Sequence, residues 1–168
     1  MKGQYGLKFD LNEYPLSERN GTYGGKAGRK EGIKIDGENW IIKYPQNTIG
    51  MRGTVASYTT APLSEYIGST IFDISGIDVH KTALGTRNGK LVVACKDFCK
   101  TEGALREIRT LKNIYNEEFQ IKMQKIVEFI NHIPEQRDGI PICSSTRKQF
   151  YIQSIKYRFE NFLLPIIK

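Results

Sequence analysis

The sequence predicts an α+β protein: a mostly antiparallel sheet with one packed helix over residues 1–100, followed by a small helical annex over 101–168. Three observations predict it. Asp36-Gly37 and Asn88-Gly89 each sit between apolar runs, which is the strongest short-range hairpin signal. Between those hairpins, Leu63, Tyr66, Ile67, Thr70, Ile71 and Ile74 recur at helical spacing. Beyond residue 100 the hairpin signals give way to helical periodicity.

The elements follow in order. Tyr5, Leu7, Phe9 and Leu11 alternate and read as a first strand over 5–11. Residues 12–30 are polar and glycine-rich and read as a loop. Ile33 and Ile35 precede the Asp36-Gly37 turn, and Trp40, Ile41 and Ile42 follow it, giving a hairpin over 31–43. Residues 45–59 read as a second loop. Thr60 can cap a helix over 61–75, with Pro62 in its first turn and Gly76 ending it. Residues 79–85 and 90–96 read as strands joined at Asn88-Gly89.

In the annex, Leu105, Ile108, Leu111 and Tyr115 suggest one helix. Phe119, Met123, Ile126, Val127 and Ile130 suggest a second, stopped before Pro134. Residues 134–143 read as a loop with two prolines. Ser144 or Ser145 can cap a last helix with Tyr151, Ile155, Phe159 and Phe162 on one face, ending at Pro165.

Composition narrows the function. With 168 residues, 39% apolar and 26% charged, the chain can bury a real core and reads as globular. A net charge of +7 favours acidic partners such as nucleotides, nucleic acid or acidic protein surfaces, although a solvated basic surface gives the same balance. The basic residues form no recognition helix, so nucleic acid is not expected as a direct ligand. No apolar run is long enough to span a membrane, and residues 1–5 lack the apolar core of a signal peptide. Cys95, Cys99 and Cys143 are odd in number and show no metal-site spacing. Reduced thiols in a cytoplasm are expected, and with only His80 and His132 available no zinc site is.

The chemistry sits in an ordered set of parts. Gly24, Gly25, Gly28 and Gly32 lie in a loop that leads into a strand, where glycines let backbone N–H groups approach a phosphate. Their spacing matches neither a Walker loop nor a dinucleotide fold, and an ordinary turn uses the same residues. Lys43 ends an apolar strand, where a lysine needs a partner or must snorkel at an edge. Glu65, one turn inside the following helix, is the partner to expect, although it also suits the helix amino terminus on charge alone. Glycine loop, lysine strand and glutamate helix, in that order, are the parts that open a protein-kinase nucleotide site. Asp97-Phe98 invites comparison with the metal-binding Asp-Phe-Gly of kinases, but Cys99 follows and the position is one lobe too early.

Tyr23 to Lys43, the run SYTTAPLSEYIG at 57–68, NGKLVVACKDF at 88–98 and EIRTLKN at 107–113 resemble the amino-terminal lobe of HipA-type serine/threonine kinases, in their CtkA-like branch. The likeness covers residues 5 to about 115, and residues 147–165 resemble the carboxyl-terminal helix of the same proteins. The resemblance implies a kinase amino-terminal-lobe-like sheet, ATP as the nucleotide, and magnesium as the family's metal. It implies that Gly24, Gly25 and Gly28 cradle phosphate, that Lys43 holds it, that Glu65 orients Lys43, and that Lys96, Asp97 and Phe98 form the hinge.

Two features depart from the family pattern. The family takes its catalytic base from an Asn-x-Asp-Arg-His-type loop and a metal ligand from a later aspartate. Asp10, Asp36, Asp73, Asp78, Asp97 and Asp138 lie in no such loop. Lys26 and Ala27 also stand where relatives often carry a regulatory serine. The expectation is therefore an ATP-binding lobe whose central catalytic segment is lacking, with no catalytic residue and no metal ligand assigned. The alternatives are a non-catalytic, antitoxin-like module acting on a partner kinase, or a remnant held together by its core.

Overall fold

The computed structural model describes residues 6–20, 23, 30–45, 61–77, 79–97 and 119–163. Seven strands and three helices lie there: β1 (Gly6–Asp10), β2 (Lys30–Ile35), β3 (Glu38–Lys43), α1 (Ala61–Ile74), β4 (Thr82–Arg87), β5 (Lys90–Lys96), α2 (Phe119–His132), β6 (Gln136–Arg137), β7 (Ile140–Pro141) and α3 (Ser145–Arg158). A π-helical turn, Phe159–Leu163, continues α3. No helix among the described residues is long and apolar enough to cross a membrane.

The chain divides into two compact units, Met1–Thr70 with His80–Ala104, and Ile71–Val79 with Leu105–Lys168. The first holds a five-stranded sheet in the order β1-β4-β5-β3-β2. All neighbours are antiparallel except β1 and β4, which run parallel. Both expected hairpins form. Asp36 and Gly37 take φ of 51° and 78°, and Asn88 and Gly89 take 53° and 68°, the left-handed pairs that a two-residue hairpin turn requires.

Side-chain alternation sorts this sheet into two faces. Ile33, Ile35, Trp40, Ile42, Ala83, Val92 and Ala94 share one face and form a buried cluster with Leu11 and Tyr44. Its edge is closed by a polar network in which the Arg87 Nε donates to Glu31 Oε2 at 2.8 Å and the Tyr44 hydroxyl donates to the same oxygen at 2.6 Å. Arg87 Nη1 also donates to the carbonyls of Leu11 and Tyr14. The guanidinium is only 10% exposed, so these partners offset the cost of removing its charge from water. The opposite face carries Ile41, Lys43, Val93 and Cys95, and α1 is tied to it through Glu65. Leu63, Tyr66, Ile67 and Thr70 are the buried side of α1, as their spacing predicts.

The strand expected over 79–85 begins at Thr82 and continues to Arg87, since the Asn88-Gly89 turn needs its flanking strand to reach residue 87. In the second unit, α2 buries Met123, Ile126 and Ile130, with Ile133 just beyond it. Lys148 donates to the Asn131 carbonyl at 3.2 Å, linking α3 to the end of α2. Two expectations are corrected here. Residues 134–143 are not simply loop: β6 and β7 pair across a third turn, Asp138-Gly139, with φ of 49° and 76°. The cap of α3 is Ser144, whose hydroxyl accepts from the Arg147 N–H, but α3 has no buried face. Tyr151 and Ile155 are half-buried, and Phe150 is 64% exposed. The helix expected over 105–115 lies outside the described residues.

Candidate functional site

Lys43 is the last residue of β3, and its cross-strand partner on β5 is Val93. Paired residues share a face, so Lys43 and Cys95 project from the same side of the sheet. Glu65 in the second turn of α1 reaches that side. Its Oε1 lies 2.5 Å from Lys43 Nζ, 3.4 Å from Cys95 Sγ and 3.7 Å from His80 Nε2. Lys43 therefore has the partner that its place in an apolar strand demands.

The electrostatics follow from this packing. Burial alone would raise the Glu65 carboxyl, but the His80 imidazole and the Lys43 ammonium outweigh it and hold the group down at about 2. Burial opposes the charged form of Lys43, and its bond to Glu65 overcomes that and raises the ammonium above its ordinary value. Burial, followed by the adjacent Glu65 charge, pushes the Cys95 thiol up to about 12. The result is an ionised pair beside a protonated thiol.

Lys30, the first residue of β2, stands directly opposite Lys43 in the register. Two like charges opposed across strands are unfavourable without a counter-charge. Glu65 supplies one to Lys43. Lys30, His80 and Cys95 were not singled out in the sequence as parts of this site, since they meet it only through strand register and the approach to β4.

Lys96 and Asp97, which the resemblance assigns to the hinge, lie at the end of β5. Lys96 pairs with Trp40, which places it on the opposite face from Lys43, and its ammonium bonds Glu38 at 2.7 Å. Its side chain cannot join the Lys43 site. Asp97 Oδ2 is held by Arg19 Nη1 and by the Tyr23 hydroxyl, each at 3.0 Å. Burial, together with the Asp97 charge, raises the Tyr23 phenol to about 12. The amides of Lys96 and Asp97 donate inward, to the carbonyls of Lys81 and Asn39, each at 2.8 Å. Gly24, Gly25, Gly28 and Phe98 lie outside the described residues. The ends of the glycine segment are described. Tyr23 packs against Gly32 and bonds Asp97, and Lys30 begins β2.

No family model matches the chain. A 91-residue segment, 54% of the chain, is 35% identical to the serine/threonine-protein kinase CtkA of Helicobacter pylori strain J99. Over that segment the chain is similar to CtkA. The matched segment covers 27% of the length of CtkA. The crystal structure of a Helicobacter pylori proinflammatory kinase CtkA aligns with a TM-score of 0.48 at 24% identity, over 77% of this chain and 43% of that one.

Proposed function

We propose that this CtkA relative binds ATP on the sheet face that carries Lys43. Lys43 engages the phosphates and Glu65 orients it, with Gly24, Gly25 and Gly28 assigned to the phosphates by the resemblance alone. The observation that carries this reading is the 2.5 Å Lys43–Glu65 pair, the helix-to-strand contact that a kinase nucleotide lobe uses to aim its lysine. Lys96 and Asp97 present their backbone to the hinge, held in place by the Lys96–Glu38 and Arg19–Asp97 side-chain bonds.

On the same reading the chain as it stands binds nucleotide without transferring phosphate. Phosphoryl transfer needs a base on the acceptor hydroxyl and a carboxylate on the metal. Asp97 is committed to Arg19 and Tyr23, Asp10 accepts from Asn12, and Asp138 sits in the β6–β7 turn beside Arg137. Calorimetry tests the nucleotide site. Lys43→Met should keep the fold and weaken ATP binding about 10- to 100-fold, the worth of a charge-assisted bond. Unchanged affinity would refute the assignment. A radiolabelled-ATP assay, with a generic substrate and with the protein itself, tests the second part. Robust incorporation that Lys43→Met abolishes would show a working catalytic centre.

A further inference from the structure

Glu65, His80 and Cys95 come from three different elements, α1, the segment entering β4, and β5. Their donor atoms, a carboxylate oxygen, an imidazole nitrogen and a thiol sulfur, all lie within 4.8 Å of one another. Zinc bonds these donors at about 2.0–2.3 Å, so a tetrahedral site needs donor separations of about 3.3–3.8 Å. The Glu65–Cys95 and Glu65–His80 separations, 3.4 and 3.7 Å, already meet that requirement. His80 Nε2 is sealed from solvent and faces the carboxylate. One thiol, one imidazole and one carboxylate form a borderline-soft set that selects zinc over magnesium or calcium.

We propose that Glu65, His80 and Cys95 form a site for a thiophilic divalent cation, with zinc as the natural occupant and a fourth position open to water. Binding breaks the Cys95 S–H bond, forms a metal–thiolate bond and releases one proton to solvent, with no change of oxidation state. Lys43 Nζ sits on the same Glu65 oxygen as the incoming metal. The cation therefore displaces the ammonium from that oxygen. If Lys43 serves ATP, a bound cation frees it from its orienting partner. That consequence rests on the nucleotide reading, and the metal site itself does not.

Cobalt(II) is the probe, titrated without ATP into the reduced full chain under anaerobic conditions. One equivalent should produce the visible bands of a tetrahedral site and a near-ultraviolet thiolate-to-cobalt band, and zinc, but not magnesium, should bleach both. Cys95→Ser should abolish the thiolate band. His80→Gln, at a half-buried position, should weaken cobalt binding about 100-fold, the upper end of what losing even a supporting partner costs a metal site. Cys143→Ser should leave the spectrum unchanged. Absence of the band in the native chain, its survival in Cys95→Ser, or full affinity in His80→Gln would each overturn the proposal. Circular dichroism of every variant identifies any that misfolds, in which case His80→Gln decides.

Discussion

Lys43 Nζ and Glu65 Oε1 meet at 2.5 Å, joining the end of β3 to the second turn of α1. The Lys43 side chain is 36% exposed and that of Glu65 28%, so water screens much of their attraction. Pairs of this exposure contribute about 0.2–1 kcal/mol to stability. Lys43→Met and Glu65→Gln should therefore each shift thermal unfolding only slightly, while Lys43→Met lowers ATP affinity more than Glu65→Gln. A large loss of stability in either variant would show that the pair holds the fold together and is not primarily a site.

Glu65 also predicts a pH dependence. Its carboxyl sits at about 2 in the folded protein, against 4.5 for an unperturbed glutamate. A depressed carboxyl stabilises the fold fully above the unfolded value and loses that contribution as pH falls toward the folded one. The stability difference between the native chain and Glu65→Gln should be flat above 4.5 and shrink between 4.5 and about 2. Chemical denaturation across that range measures it, and a difference that persists unchanged to the acid end contradicts the assignment.

Gly32 on β2 has no room for a side chain. A Cβ there would lie 2.7 Å from the Tyr23 ring and 3.3 Å from the backbone of Asn20. The ring could swing away, but the Asn20 backbone is held by the bond from its own N–H to the Ser17 carbonyl at 2.9 Å. Gly32→Ala should cost about 1–3 kcal/mol, typical of overpacking. It should also dislodge Tyr23. An unchanged melting temperature would show that the contact is soft.

The Tyr23–Asp97 bond predicts coupling. Asp97→Asn removes the charge shared by Arg19 and Tyr23, and Tyr23→Phe removes the hydroxyl. A double-mutant cycle should return a coupling of about 0.5–3 kcal/mol. In Asp97→Asn the Tyr23 phenol should titrate below its native value of about 12, with burial keeping it above 10.0. A phenol titration that does not move would show that burial alone sets it.

Much of this was legible in local chemistry. The Asp36-Gly37 and Asn88-Gly89 hairpins follow from residues that tolerate positive φ, and the buried side of α1 follows from its period. The same dipeptide logic applies to Asp138-Gly139, but Pro134 and Pro141 flank it and no apolar alternation marks its two-residue strands. The apolar residues of α3 suggested a packed face because periodicity records which side is greasy, not whether anything covers it. Lys43 and Glu65 could be matched because a lysine in an apolar strand needs a counter-charge. Lys96 could not be placed, since its face depends on the β3–β5 register, a tertiary fact. His80 and Cys95 were weighed in the sequence but not joined to Glu65, for the same reason. Metal-ligand spacing is read along the chain, and these donors converge across it.

The parallel union of β1 with β4 has a consequence for how the chain folds. The β2–β3 and β4–β5 ladders close across two-residue turns, whereas Gly6 and Leu7 must find Ala83 and Leu84 far along the chain. Loop-closure entropy makes the distant pairing later, and hairpins form within about 1–10 μs on their own. Strand β1 is then the last to dock, onto an edge that β4 presents only after its own hairpin has closed. Pulsed hydrogen exchange during refolding would see β4 and β5 amides protected first and those of β1 last, which makes the opening segment of the polypeptide the final one to join the sheet.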